Sequence, residues 1–102
     1  MNAKSVALLL LVWAAQLGPA DAIAISHIPR HLVASTGIRS VGYSKRLHIL
    51  EVEFLNGAVY RYLQVAPSVY QTLIAADSKA RFYDKNVKGH YASVKMRSRI
   101  KS

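Results

Sequence analysis

The sequence predicts an α+β fold: a three-stranded antiparallel sheet, with room for a fourth edge strand, and two short helices packed on one face. Three observations carry this. Residues 48–54 (HILEVEF) and 58–65 (AVYRYLQV) alternate with a period of two, Asn56-Gly57 stands between them, and Pro67 opens a run with helical spacing.

The chain begins with an address. Lys4 supplies a positive n-region, residues 6–15 (VALLLLVWAA) a ten-residue apolar core, and residues 16–22 (QLGPADA) a c-region ending in small residues. The apolar run is too short to span about 30 Å of hydrocarbon, which takes about 20 residues. Residues 1–22 therefore read as a signal peptide cut after Ala22, with Ala20 and Ala22 forming the A-x-A site. A cut after Ala24 and retention as an anchor are the alternatives. Export to a periplasmic or extracellular space follows.

Residues 23–32 lack a clean period and carry Pro29, so they form a lead-in, with a short edge strand near Leu32 and Val33 as an option. The domain proper spans 33–91. In its first strand Val41 and Tyr43 share a side, and Ser44-Lys45-Arg46 makes a polar turn. In the second, Leu50, Val52 and Phe54 form the buried face and Glu51 and Glu53 the wet one. Asn56-Gly57 then fits a type I′ hairpin, whose two central residues both need positive φ. In the third strand Tyr60 and Tyr62 point inward, which leaves Arg61 in water.

Pro67 suits the first turn of a helix, and Val69, Tyr70, Leu73 and Ile74 form its apolar stripe. Asp77-Ser78 caps a second helix over KARFYDKNV, carrying Phe82 and Tyr83. Residues 92–102 form a basic tail without a carboxylate. It reads as a solvated end; if extended, it would present Lys95, Arg97, Arg99 and Lys101 on one side.

Composition closes several chemistries. The 102 residues include no cysteine, which removes thiolate catalysis, CxxC redox chemistry and thiolate zinc sites. His27 and His31 have an i, i+4 spacing, but Pro29 between them breaks the helix that would align them. No nucleophile elbow or phosphate loop occurs. No enzyme activity, metal or cofactor is expected. Charge is the positive signal: 14 Lys and Arg face 5 Asp and Glu, and since processing removes one of each, Lys4 and Asp21, the formal charge stays +9. Such a chain attracts polyanions such as nucleic acid, anionic lipid or cell-wall polymer, although charge of this kind also serves solubility alone.

The span from about Val33 to Tyr91 resembles the KTSC family, small domains named for their place at the C-terminus of some lysyl-tRNA synthetases. The matching pieces are Ser40-Val41-Gly42-Tyr43, Leu50-Glu51-Val52-Glu53-Phe54 with Asn56-Gly57, and Tyr60-Arg61-Tyr62, followed by Val65, Pro67, Val69-Tyr70, Ser78, Phe82 and Tyr91. Ser44, Ala66, Ala80 and Asp84 depart from the family's pattern and bear on loop geometry. The resemblance implies no established activity; RNA binding has been suggested for the family from its synthetase context. The expected function is thus an exported, non-enzymatic binding module that takes an anionic or protein partner. The binding candidates are Arg61, Lys79, Arg81, Lys85, Lys88, Lys95, Arg97, Arg99 and Lys101. Binding of RNA or single-stranded nucleic acid is the first alternative and a small hydrolase the second.

Overall fold

Alternating side chains leave a strand's backbone N–H and C=O groups pointing sideways, and each such edge needs a partner, a cover or water. In the computed structural model, which describes residues 26–100, both segments flanking the expected domain supply partners. The sheet has five antiparallel strands in chain order: β1 (His31–Leu32), β2 (Ile38–Ser44), β3 (Ile49–Phe54), β4 (Val59–Tyr62) and β5 (Ser93–Arg97). The expected three strands with room for a fourth become five: the optional edge strand near Leu32 forms, and the tail, expected as a solvated end, adds another. The lead-in pairs with β2 through His31 and Leu32, and the basic tail pairs with β4 instead of standing free in solvent. The expected signal peptide, its Ala20 and Ala22 site, and Lys101 lie outside the described residues.

Helices α1 (Pro67–Ala75) and α2 (Lys79–Asn86) lie between β4 and β5 in the chain. Pro67 occupies the first turn of α1, where a missing N–H costs nothing. The Ser78 hydroxyl accepts from the Arg81 N–H at 3.3 Å, which caps α2 as the sequence suggested. Leu73 from α1 and Tyr83 from α2 reach the core, together with Val87 just after α2, against Ile38, Val41, Leu50, Val52 and Tyr62 from the sheet. Complete burial of each aliphatic side chain contributes about 1.5–3 kcal/mol. Ile74, expected in the stripe, stays 42% exposed because the stripe turns past the sheet after Leu73.

Two irregularities decide which side chains share a face. Ile38 pairs with Phe54 and Ser40 with Glu53, so Arg39 is an extra residue in β2. Val59 pairs with Arg97 and Tyr60 with Lys95, so Met96 is an extra residue in β5. A β-bulge of this kind flips the alternation beyond it. The tail therefore does not present its cations on one side: Lys95 shares a face with Tyr60, and Arg97 shares the opposite face with Glu53.

The β3–β4 connection also differs from a two-residue type I′ turn. Gly57 has φ +90° and Asn56 is not in the positive-φ region. The Gly57 N–H donates to the Phe54 carbonyl at 2.9 Å, and the Phe54 N–H donates to the Ala58 carbonyl at 2.9 Å. The loop thus has three residues, a turn over Leu55 and Asn56 closed by a left-handed glycine. Asn56 spends its side chain locally, its Oδ1 accepting from the Ala58 N–H at 3.0 Å.

Candidate functional site

The face of the sheet away from the helices is not the wet surface the alternation suggested. Residues 26–30 cross it as a strap, placing Ile28 at 3% exposure, and Glu51 and Arg61 beneath are each only 4% exposed. The Arg61 Nε donates to Glu51 Oε1 at 2.6 Å, and its Nη2 donates to the Ser26 carbonyl at 2.5 Å. The other Glu51 oxygen accepts from Arg30 Nη1 at 2.5 Å. Arg61, expected as the exposed member of Tyr60-Arg61-Tyr62, is instead a buried structural cation. Without the strap its register would leave it in water, and that cover is what strand parity cannot show.

Glu53 extends the same network. Its oxygens accept from Ser40 Oγ at 2.8 Å and Arg97 Nη2 at 2.8 Å, while Arg97 Nε donates to the Gly57 carbonyl at 2.8 Å. Partial burial raises the Glu53 pKa, but the Ser40 hydrogen bond and the Arg30 and Arg97 charges outweigh it and hold the carboxyl below its ordinary value. Arg97, another binding candidate, is thereby paired with Glu53, although its side chain stays 47% exposed.

The helix-side face is built differently. Tyr62 and Tyr83 meet hydroxyl to hydroxyl in the core, with their rings edge to face at 5.7 Å between centroids. Phe54 sets its edge against Tyr83 at 5.1 Å and Tyr60 at 6.0 Å, and Tyr60 stacks on Tyr62 at 6.4 Å. Burial raises both phenols above the ordinary tyrosine value, Tyr62 by a wide margin because the Tyr83 hydrogen bond adds to it, whereas the same bond lowers Tyr83 against its burial. These rings floor a cavity of about 470 Å³ between α2 and the β4–β5 pair, with Asp84, Lys88 and Ser93 in its wall. A second hollow of about 370 Å³ shares Phe54 and Tyr60 with the first and adds Lys95 and Arg99. The two make one groove divided by Tyr60, and Lys95 Nζ stands 5.9 Å from the centre of that ring.

Of the candidate cations, the fold thus gathers Lys88, Lys95 and Arg99 around the aromatic floor. It does not bring the others there. Lys79 donates to the Ala76 carbonyl at 3.0 Å, at the start of α2. Arg81 and Lys85 are exposed on α2 and line neither hollow. The contributions of Phe54 and Tyr83 to the groove were missed. Both are placed by the core, and only the shared parity of Phe54 with Leu50 and Val52 pointed that way. Among the described residues no group of three or more His, Asp or Glu could hold a metal, and no helix is long and apolar enough to cross a membrane.

The comparison that decides the family covers the three central strands, β2 to β4, and both helices. The KTSC domain model matches residues 34–91. The chain belongs to the KTSC family. An uncharacterised protein of Stutzerimonas stutzeri is 46% identical over 63 residues, spanning 61% of this chain and 89% of its own. A protein of Tsukamurella paurometabola is 39% identical over 62 residues, spanning 61% and 92%. A lysine–tRNA ligase of Nostoc punctiforme is 37% identical over 54 residues, only 10% of its length. The crystal structure of a KTSC domain protein from Yersinia pestis shares 36% identity and a TM-score of 0.64, covering 68% of this chain and 97% of that one. In this KTSC domain Gly42, Glu51, Arg61, the aromatic floor and Lys88 lie inside the matched span, whereas the strap, Lys95 and Arg99 lie outside it.

Proposed function

We propose that this KTSC domain is an exported, non-enzymatic binding module that holds an anionic partner in the groove around Tyr60. One observation carries the reading. The cations of the strap face, Arg30, Arg61 and Arg97, are paired with Glu51 and Glu53, whereas Lys88, Lys95 and Arg99 line an aromatic groove in which, among the described residues, no carboxylate, Asp84 included, stands in ion-pair contact with them. Cations left in that state attract phosphates, sulfates or carboxylates, and the rings give a flat surface against which a ring or apolar segment of the ligand can lie. Export rests on the sequence of residues 1–22.

The test is a titration of heparin and a fluorescein-labelled single-stranded oligonucleotide into the processed protein across salt concentrations. Replacing Lys88, Lys95 and Arg99 together by Ala should flatten the salt dependence and lower affinity about tenfold or more at low salt. Replacing Lys45, Arg46 and Lys85, which lie off the groove, should change it far less. Equal losses in the two variants would mean that net charge alone does the binding.

Single-stranded nucleic acid is the second reading, and the aromatic floor favours it, because stacking on such rings contributes about 1–3 kcal/mol per base. Tyr60→Ala should then weaken the oligonucleotide and spare heparin.

A further inference from the structure

We propose that the strap face is a peptide-recognition groove for an extended segment reading aliphatic-Pro-Arg, which this chain fills with its own Ile28, Pro29 and Arg30. Each of the three residues meets a matching feature. A Cβ added to Gly42 would lie 2.1 Å from the Pro29 carbonyl oxygen and 3.1 Å from the Ile28 side chain, so the glycine is the hollow that lets the peptide backbone settle onto β2. Ile28 is 3% exposed within it. Arg30 donates to Glu51 Oε2 at 2.5 Å and lies 4.0 Å from Glu53 Oε1, so two carboxylates of a chain with formal charge +9 converge where the peptide's guanidinium arrives. The Ser26 carbonyl closes the contact on Arg61.

The occupant is separable from the site. Gly42, Glu51, Glu53 and Arg61 lie within the family span 34–91, and the strap precedes it. Residues 26–30 form no strand; His31 and Leu32 pair with β2, the Val33 N–H donates to the Arg39 carbonyl at 3.0 Å, and Leu32 is 79% exposed. The groove is also incompletely filled: a hollow of about 560 Å³ remains beside the strap, lined by His27, Arg30, Ser40, Glu51 and Glu53 among others. Proline holds the segment extended before it docks, which lowers the ordering cost of a peptide of this kind. The ligand class is therefore an extended basic peptide entering by its aliphatic-Pro-Arg core, in competition with the strap.

The experiment uses the processed chain, residues 23–102, and a fluorescein-labelled peptide of residues 23–32, followed by anisotropy. In the wild type the tethered strap competes at an effective concentration of order millimolar, so the free peptide binds poorly. The variant Ile28→Ser with Arg30→Ala should take up the peptide about tenfold or more tighter than wild type, and a peptide carrying Arg30→Ala should lose most of that gain. A variant with native circular dichroism that binds no better than wild type overturns the proposal. Should that variant fail to fold, hydrogen exchange of the wild type decides. The Val33 amide, which donates to the Arg39 carbonyl, exchanging well before those of β3 supports a displaceable strap, whereas its exchange only on global unfolding overturns it. Neither outcome depends on the anion-binding groove.

Discussion

Arg61 stands between two tyrosines that point into the core, yet its guanidinium ends under the strap against Glu51 and the Ser26 carbonyl. Both members of this pair are nearly excluded from water, with side chains 5% exposed. Burying two charges yields little net stability, but removing a donor leaves a buried oxygen poorly satisfied. Arg61→Ala takes the donor from Glu51 Oε1 while Arg30 still holds Oε2, so it should cost about 1–3 kcal/mol in denaturant unfolding. The same change combined with Glu51→Leu should recover part of the loss, since the buried carboxylate is gone as well. Arg61→Lys should fall between, because an ammonium cannot reproduce the fork that reaches Glu51 and Ser26 together. A loss under 1 kcal/mol for Arg61→Ala would mean that water reaches Glu51 and that the strap does not seal the face.

At the scale of elements, the three-residue loop between β3 and β4 is a clamp for the end of the chain. The Ile100 N–H donates to the Asn56 carbonyl at 2.7 Å, Arg97 holds the Gly57 carbonyl, and a Cβ on Gly57 would lie 2.6 Å from the Ile100 side chain. Gly57→Ala should cost about 1–2 kcal/mol through its left-handed backbone and push Ile100 away. Loss of hydrogen-exchange protection at Ile100 and Arg97, with β3 still protected, is the expected reading; unchanged protection at both would exclude the clamp. This loop also marks where the sequence stops being legible. Its glycine, the β3 and β4 alternation, the inward turn of Tyr60 and Tyr62, and the Pro67 and Ser78 helix starts are local, and local chemistry reveals them. The edge strands β1 and β5 form only because β2 and β4 offer unpaired backbone, and the bulges at Arg39 and Met96 follow from pairing rather than from residue type. Arg97 shows the consequence: one extra residue sends it from the expected row of cations to Glu53 on the opposite face. Of the candidate site, Lys88, Lys95 and Arg99 were legible as charge, but their gathering around Phe54 and Tyr83 was not.

Across the whole molecule, the two faces of the sheet should fail at opposite ends of the pH scale. Glu53 on the strap face has a folded pKa below its ordinary 4.5, so its contribution is complete above that value and is lost as pH falls through the folded pKa. Tyr62 on the helix face has a folded pKa raised well above the ordinary 10.0 by burial and by Tyr83. Below pH 10 both folded and unfolded chains keep that proton and the site is neutral to stability changes. Above it the unfolded chain ionises while the folded chain cannot, so stability declines steadily as pH rises. Melting temperature should therefore form a plateau bounded by these two groups. Tyr62→Phe removes the Tyr62 alkaline titration along with one hydroxyl of the pair: it should lower stability on the plateau by about 1–3 kcal/mol, because Tyr83 loses its buried partner, yet flatten the decline above pH 10. A variant whose alkaline limb stays parallel to that of wild type would place the responsible proton elsewhere, with Tyr83 next to be tested by Tyr83→Phe, since burial raises its phenol as well.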